Sequence, residues 1–429
     1  MMRLVLRAAA VCLLAGGFFL RAAEPAPFYL HNGDRVVFYG DSITDQRLYT
    51  VYTELYAVTR YPGLDVSFVH SGWGGDRVTG GGGGPVDLRL KRDVFAYHPT
   101  VVTIMLGMND GSYTRHKPAD DDTFKAGFQH IVESLKQELP GVRITAIKPS
   151  PFDDVTRPFT VQPDGYNAIL VGYGTWIEHY AKEAGIDVAD LNTGVVEDVQ
   201  KADLADRNNA PKIIPDRVHP GPGGHLIMAE ELLKSWNARP VVSSVTIAAG
   251  GTPQVTEEEY AHVSGLAGGS GLHWTENEEA LPLPLEPMSQ ADNSGVVALA
   301  LKSSDIWTAL NQETLRVTGL AAGHYTLRID GMGVGEFPNT VLAEGINLAM
   351  YHTPMSVQAM EVLKLTTLHN QIHFVRWRDV QVPLEETPPP SSFENTLEAL
   401  DKAEADIVHE QREAAKPKPH QFELTPAQP

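Results

Sequence analysis

Short apolar segments alternate with amphipathic stretches from residue 35 to about residue 237. Val101–Leu106 is a nearly continuous apolar run of strand length, which is typical of a strand buried on both faces. Further strands are predicted at Arg35–Tyr39, Val66–His70, Arg143–Ile147 and Ile186–Asp190, and helices at Leu48–Thr59, Asp122–Glu138, Tyr166–Ala184 and Gly224–Trp236. This alternation predicts an α/β domain over residues 24–240. Its mostly parallel sheet would be covered on both faces, with ligands at the carboxyl ends of the strands.

The pattern changes after Pro240, and residues 241–386 are predicted to form a smaller, strand-rich accessory domain. Strands are expected at Val241–Ala248, at Leu315–Thr318 and Tyr325–Ile329 (joined as a hairpin), and at Ile372–Trp377 after a helix at Val357–Leu368. Residues 387–429 are predicted to hold a charged helix, Phe393–Ala415, followed by a disordered Lys/Pro-rich tail.

Residues 1–23 are predicted to be a signal peptide. Two arginines precede the apolar run Ala8–Leu20, which is too short to span a bilayer. We therefore expect a secreted or periplasmic protein with no stable membrane insertion after cleavage, although an uncleaved anchor is an alternative. The single cysteine, Cys12, lies in this run, so the mature chain would contain no disulfide, thiolate zinc site or cysteine nucleophile.

The formal net charge of -20 changes the expected partners. An acidic surface repels phosphates and provides no basic field that could release counterions. We therefore expect no nucleic-acid partner. A neutral or cationic substrate suits this charge better than an anionic one.

Two polar segments follow the first two predicted strands. Ser42 comes directly after the first strand and before a helix, where its backbone N–H would be free and the helix dipole would favour negative charge. A helix cap is the alternative role for this serine. Gly72–Asp76 follows the second strand, and its glycines would let the backbone approach a ligand closely, unless the segment is a plain turn.

Two more segments supply groups with a recognisable chemistry. Asn109 follows the most apolar strand, where its amide could point at a developing oxyanion or simply turn the chain. Asp216 and His219 are three residues apart before the last helix. This spacing allows the carboxylate to hold one imidazole nitrogen while the other nitrogen faces a hydroxyl. A loop histidine beside a structural aspartate is the alternative.

The four segments stand in the order nucleophile, glycine donor, asparagine donor and Asp/His pair. This order resembles the SGNH (GDSL-type) hydrolase family over about residues 35–237, roughly half of the chain. The resemblance implies a flavodoxin-like three-layer α/β/α sandwich. It also implies Ser42 as nucleophile, His219 as general base and Asp216 as its orienting partner, with an oxyanion hole made by Ser42, Gly75 and Asn109. It implies no metal and no organic cofactor.

The substrate stays open at this stage. An exported esterase that removes acetyl groups from carbohydrate fits the predicted export, the acidity and the accessory domain. A lysophospholipase or thioesterase would use the same chemistry on a different acyl group. A carbohydrate-binding or scaffold protein with a relict site is an alternative of another class.

Overall fold

The computed structural model describes residues 26–159, 161, 164–384 and 392–427. The predicted signal peptide, residues 1–23, lies outside the described residues. None of the helices in the described part of the chain combines the length and the apolar character that a bilayer span requires.

The first half of the chain alternates strands with helices. The strands are β1 (Asp34–Gly40), β2 (Val66–Gly72), β3 (Gly80–Gly81), β4 (Gly84–Pro85), β5 (Val101–Met105), β6 (Arg143–Lys148) and β7 (Asp187–Asp190). The helices are α1 (Ser42–Asp45), α2 (Leu48–Arg60), α3 (Val86–Asp93), α4 (Pro118–Glu138), α5 (Asn167–Ala184), α6 (Thr193–Ala205) and α7 (Pro222–Ser235).

Among the described residues, the first sheet has five parallel strands in the order β2-β1-β5-β6-β7. The central strand β5 is buried along its whole length, as its apolar sequence predicts. Helix α2 packs against α7, and α4 packs against α5. Right-handed crossovers place such helices on both faces of the sheet. The strand order and these layers confirm the predicted flavodoxin-like sandwich.

The second half contains nine strands and seven helices in its described part. The strands are β8 (Val241–Ala248), β9 (Gln254–Glu259), β10 (Ala261–Gly268), β11 (Leu272–Glu278), β12 (Gln312–Thr318), β13 (His324–Ile329), β14 (Met332–Pro338), β15 (Ile346–Asn347) and β16 (His420–Pro426). The helices are α8 (Leu285–Ala291), α9 (Val296–Ser303), α10 (Ile306–Ala309), α11 (Asn339–Glu344), α12 (Pro354–Phe374), α13 (Val382–Leu384) and α14 (Phe393–Ala414).

These strands form two sheets, which correct the predicted hairpin. Strand β12 pairs in parallel with β8 in the order β15-β12-β8-β9, whereas β13 lies in the sheet β10-β11-β16-β13-β14. The turn between β12 and β13 therefore carries the chain from one sheet to the other. The predicted strand-rich character of this half is confirmed.

The prediction of a strand at Ile372–Trp377 is wrong. Helix α12 runs through Phe374 and continues as a π-helical turn, Val375–Gln381. His369, His373 and Trp377 recur every four residues and are buried on one face, which is a helical period. Alternating polar and apolar residues in this short segment fit a strand equally well, so the local pattern was ambiguous.

The prediction of a disordered tail is also wrong for residues 420–426, which form β16 between β11 and β13. Phe422 and Leu424 are buried on one face of this strand, and the residues between them are less buried. This alternation was hidden behind a Lys/Pro-rich segment. The chain end is therefore an inner strand of the second domain's sheet.

Buried polar groups join the two halves. Arg60, at the end of α2, donates hydrogen bonds to the carbonyls of Arg239 and Val241 at 3.1 Å and of Leu310 at 2.9 Å. Glu54, one helical turn and a half earlier, accepts hydrogen bonds from α12 and α14. Helix α2 is thus shared between the first half and the second half of the chain.

Candidate active site

Ser42 is the first residue of α1, at the carboxyl end of β1. Asp41 caps this short helix, because its carboxylate accepts a hydrogen bond from Ile43 N at 3.0 Å. Burial raises the pKa of Asp41 to about 7. A side chain at Gly72 would lie 2.1 Å from Asp45 N, so this glycine lets α1 pack directly on the strand ends. Asp41 thus supports the loop, and the cap is Asp41 rather than Ser42.

The structure brings the three predicted catalytic side chains together across 177 residues of sequence. His219 Nε2 lies 2.8 Å from Ser42 Oγ, and His219 Nδ1 lies 2.7 Å from Asp216 Oδ2. The carboxylate therefore holds the imidazole with Nδ1 protonated, which leaves Nε2 free to accept the serine proton. This is the geometry of a nucleophile, its base and the group that orients the base.

The Asp216 carboxylate is held in its ionised form. Partial burial acts to raise its pKa, but hydrogen bonds from the backbone and ring of His219 and from Val218 N outweigh this and lower the pKa. The turn requires Arg217 to adopt a left-handed conformation (φ 76°). Arg217 is held there through hydrogen bonds to the carbonyls of Asp153 and Pro158. The turn thus keeps a charged carboxylate beside the imidazole.

The backbone N–H groups near the start of α1 and in the glycine loop after β2 differ in whether they already have an acceptor. Gly74 N donates to Asp45 Oδ2 at 3.2 Å, so this N–H is already used. Gly75 is exposed and has a φ of +77°, a conformation that favours glycine. Within the described residues, the N–H groups of Ser42 and Gly75 have no hydrogen-bond acceptor. Gly75, rather than Gly74, therefore has the free donor.

Asn109 is fixed at both ends of its amide. Its Nδ2 donates to Asp76 O at 2.9 Å, and its Oδ1 accepts from Tyr113 Oη at 2.9 Å. These contacts orient the amide so that one Nδ2 hydrogen remains for a ligand. Asp76 in turn binds Arg89 Nε at 2.6 Å, which anchors the glycine loop that carries Gly75. Asp76 therefore connects the side-chain donor of Asn109 with the glycine loop that carries the backbone donor of Gly75.

Sequence reasoning missed the residues that brace the histidine loop. Gln46 Nε2 donates to Pro220 O at 3.4 Å, and its Oε1 lies 3.0 Å from His225 Nε2. Burial lowers the pKa of His225 to about 3, so its ring is neutral. His225 Nδ1 accepts from Tyr49 N at 3.3 Å, which places its hydrogen on Nε2. His225 lies on the first turns of α7, where a local pattern gives no indication of this bridge.

Residues from the end of α12 also reach the site, and sequence reasoning missed them too. Phe374 lies under the guanidinium of Arg47, whose Cζ is 4.2 Å from the ring centroid. Arg378 stacks over Trp73 at 3.1 Å and approaches Asp45 at 3.7 Å. More than 300 residues separate these partners along the chain, so no local signal could have indicated the contacts.

A separate cluster of carboxylates surrounds the ammonium group of Lys234. In the described part of the chain, Glu230, Glu231 and Asp305 are close enough together to share a cation. Lys234 Nζ lies 3.1, 2.9 and 2.6 Å from their respective oxygens. The ammonium group supplies the positive charge, so this cluster is explained without a metal.

Comparison with known proteins matches the segment that carries this site to a family. Residues 38–227 match the model of the GDSL-like Lipase/Acylhydrolase family, a range that includes all five candidate site residues. Residues 38–227 therefore form a GDSL-like domain, and the protein is a carboxylic ester hydrolase.

Two alignments show how much of the chain is similar to known proteins. An acetylxylan esterase of Geobacillus stearothermophilus is 24% identical over 230 residues, which cover 47% of this chain and 94% of the relative. The solved structure of BT4096, described as a gut microbial diltiazem-metabolizing enzyme, is 26% identical with a TM-score of 0.77. That alignment covers 93% of this chain and 98% of the other, so the likeness spans the GDSL-like domain and the accessory half together.

Proposed function

We propose that this GDSL-like protein hydrolyses acetyl esters of carbohydrates with a Ser42–His219–Asp216 triad. The observation that carries the proposal is the continuous chain of short contacts from Ser42 Oγ to His219 Nε2 (2.8 Å) and from His219 Nδ1 to Asp216 Oδ2 (2.7 Å). A cap or turn role for these residues would not require all three side chains to converge.

The mechanism is a two-step acyl transfer. His219 removes the proton from Ser42 Oγ as this oxygen attacks the ester carbonyl, and the carbonyl oxygen becomes an oxyanion. The N–H groups of Ser42 and Gly75 and the amide of Asn109 stabilise that charge. The protonated imidazole then gives its proton to the leaving alcohol, which departs and leaves the acyl group on the serine. Water, activated by the same imidazole, releases the acid.

The acyl group is proposed to be small. The relative that aligns with the GDSL-like domain is named an acetylxylan esterase. Asn109 and Tyr113 bind each other beside the oxyanion position, and Tyr113 stacks on Tyr166 with ring centroids 5.1 Å apart. The stacked rings of Tyr113 and Tyr166 beside Asn109 support a short acyl group more than a long alkyl chain.

The test uses p-nitrophenyl acetate and an acetylated methyl xyloside. We expect Ser42→Ala to lose activity by about ten-thousandfold or more on both esters, since the nucleophile is removed. Ser264→Ala, at an exposed serine on β10, is the matched control and should keep the wild-type rate. Wild-type activity in a folded Ser42→Ala protein would refute the triad.

A series of p-nitrophenyl esters of increasing chain length tests the acyl group. We expect kcat/KM to be highest for acetyl and to fall with chain length. A maximum at long chains would instead support a lysophospholipase or thioesterase.

We also propose that the enzyme is exported. Support comes from the basic and apolar residues at the start of the chain, which are typical of a signal peptide. Fractionation of the producing cells should find the enzyme outside the cytoplasm, with its amino terminus near residue 24. A cytoplasmic protein with an intact amino terminus would contradict this.

A further inference from the structure

An open cavity lies beside the nucleophile, with a volume of about 610 Å³. Its walls include Ser42, His219, Gln46 and Arg47 from the GDSL-like domain and Phe374 from α12. Phe374 is thus the one contribution of the accessory half to this cavity among the described residues. The catalytic domain alone would leave this wall open.

The chemistry of the triad determines which half of the ester enters this cavity. The imidazole that receives the serine proton must return it to the leaving oxygen, so the leaving alcohol lies on the side of His219. The cavity is lined by His219 and Asp216, and its walls do not include the oxyanion donors Gly75 and Asn109. It therefore receives the alcohol and not the acyl group.

The wall opposite the histidine combines an aromatic ring with a planar cation. The Phe374 ring is half-buried, and the Arg47 guanidinium stacks on it at 4.2 Å. Arg47 Nη1 donates to Asn370 O at 3.3 Å, whereas its buried Nε has no acceptor in the described part of the chain. An alcohol here meets an apolar ring and a guanidinium that retains unused donors.

This wall is held in place by the fold. Arg47 joins α1 to α2 in a left-handed conformation (φ 59°), which is costly for a residue with a side chain and directs the guanidinium to Phe374. One turn before Phe374, His369 and Asn370 bind the buried Glu54 carboxylate at 2.6 and 3.2 Å. The aromatic ring is therefore fixed relative to the nucleophile and is not a mobile surface group.

The charges around the cavity disfavour an anionic alcohol. The cavity wall carries the carboxylates of Asp45 and Asp216 together with Arg47, and Asp45 also lies 3.7 Å from Arg378, so carboxylates already balance these cations. A neutral molecule with an apolar face and several hydroxyl groups matches the remaining features, because its C–H face can cover an aromatic ring while its hydroxyls accept from a guanidinium.

We propose that Phe374 and Arg47 form a subsite for the leaving alcohol and that it takes a neutral, polyhydroxylated ring such as a pyranose unit. This proposal rests on the function proposed above and deepens it. It assigns the accessory half a role in choosing the alcohol, through one side chain supplied by α12.

The test measures selectivity, defined as the ratio of kcat/KM for an acetylated methyl xyloside to kcat/KM for ethyl acetate. Phe374→Ala removes the ring surface, so we expect this ratio to fall about tenfold, mainly through a higher KM for the sugar ester. Phe374→Trp should restore most of it. Leu368→Ala is the matched control, since Leu368 lies exposed on the same helix and outside the cavity.

Arg47→Asn provides a second, independent variant, because asparagine tolerates the left-handed conformation and lacks the guanidinium. It should also lower the ratio. An unchanged ratio in both variants, or an equal loss on both esters, would overturn the subsite. Loss of both activities in Ser42→Ala alongside an unchanged ratio in Phe374→Ala would leave the proposed function intact and remove only the subsite.

Discussion

The two halves of the molecule differ in how far apart along the chain their neighbouring elements lie. In residues 26–240, the elements that form the sheet follow one another in sequence, and each chemical group comes directly after a strand or before a helix. In residues 241–427, the sheets are closed by segments from far along the chain, such as β16 between β11 and β13. The first half carries the proposed reactive groups, whereas the second half is organised by long-range contacts. They meet at α2 and at the end of α12.

The largest expected effect tests whether the chemistry resides in the first half alone. Asp216→Asn should lower kcat by about ten-thousandfold, because an amide would favour the wrong imidazole tautomer. The Asp216 side chain is 56% exposed, so the melting temperature should change little. Steady-state kinetics and a thermal melt check this. Asp87→Asn, at another exposed carboxylate, is the control. A similar rate for the two variants would contradict the assignment of the chemistry to Asp216 in the first half.

The next effect tests whether the stability of the second half depends on strand β16. Leu424→Ala should lower the free energy of unfolding by about 2–5 kcal/mol, since the side chain is fully buried between neighbouring strands. Denaturant unfolding measures this. Leu204, which is 86% exposed, provides the matched Leu→Ala control, with an expected change within about 0.5 kcal/mol. Equal stabilities would mean that β16 is dispensable.

The smallest effect concerns the pH dependence of stability at the junction, which is the buried contact of Glu54 on α2 with α12 and α14. Burial acts to lower the pKa of His369, but the carboxylates of Glu54 and Glu404 outweigh this and raise it to about 9. The stabilising contribution of His369 is therefore complete below the ordinary pKa of 6.5 and is lost as the pH rises through about 9, an effect of about 3 kcal/mol.

Other groups at the junction titrate in acid. Hydrogen bonds and charge from His369 and His373 overcome burial and lower the pKa of Glu404 to about 2, while burial lowers that of His70 to about 4. Burial also raises the pKa of Glu276 and of Glu313 to about 8, so the contribution of His369 is the difference between the wild type and His369→Gln in the unfolding midpoints at pH 6, 8 and 10. The alkaline loss should be weaker in His369→Gln and unchanged in His262→Gln, an exposed control. The same loss in all three proteins would exclude the junction as its source.

This difference between the two halves explains how much of the structure could be predicted from the sequence. The sandwich and its strand ends could be predicted, because β5 is a short, mostly apolar run between turn residues and because Ser42, Asn109 and the Asp216/His219 pair each lie beside a predicted strand or helix. Their convergence also follows from the rule that parallel strands end at one edge.

The second half was less predictable for a physical reason. Phe374 is placed by Glu54, which lies more than 300 residues earlier and contacts His369 and Asn370 in the preceding turn. Likewise, Phe422 and Leu424 are buried only because β11 and β13 lie on either side of them. Local patterns report which face of an element is apolar, but they do not report which distant element covers that face.

The inner position of β16 has a consequence for biosynthesis. Strands β10 and β11 on one side, and β13 and β14 on the other, are translated long before the seven residues that join them. Until β16 is synthesised, this sheet consists of two separate hairpins whose unpaired edges can associate with other chains. A chain truncated before His420 would lack the strand that joins the two hairpins and would keep those edges exposed.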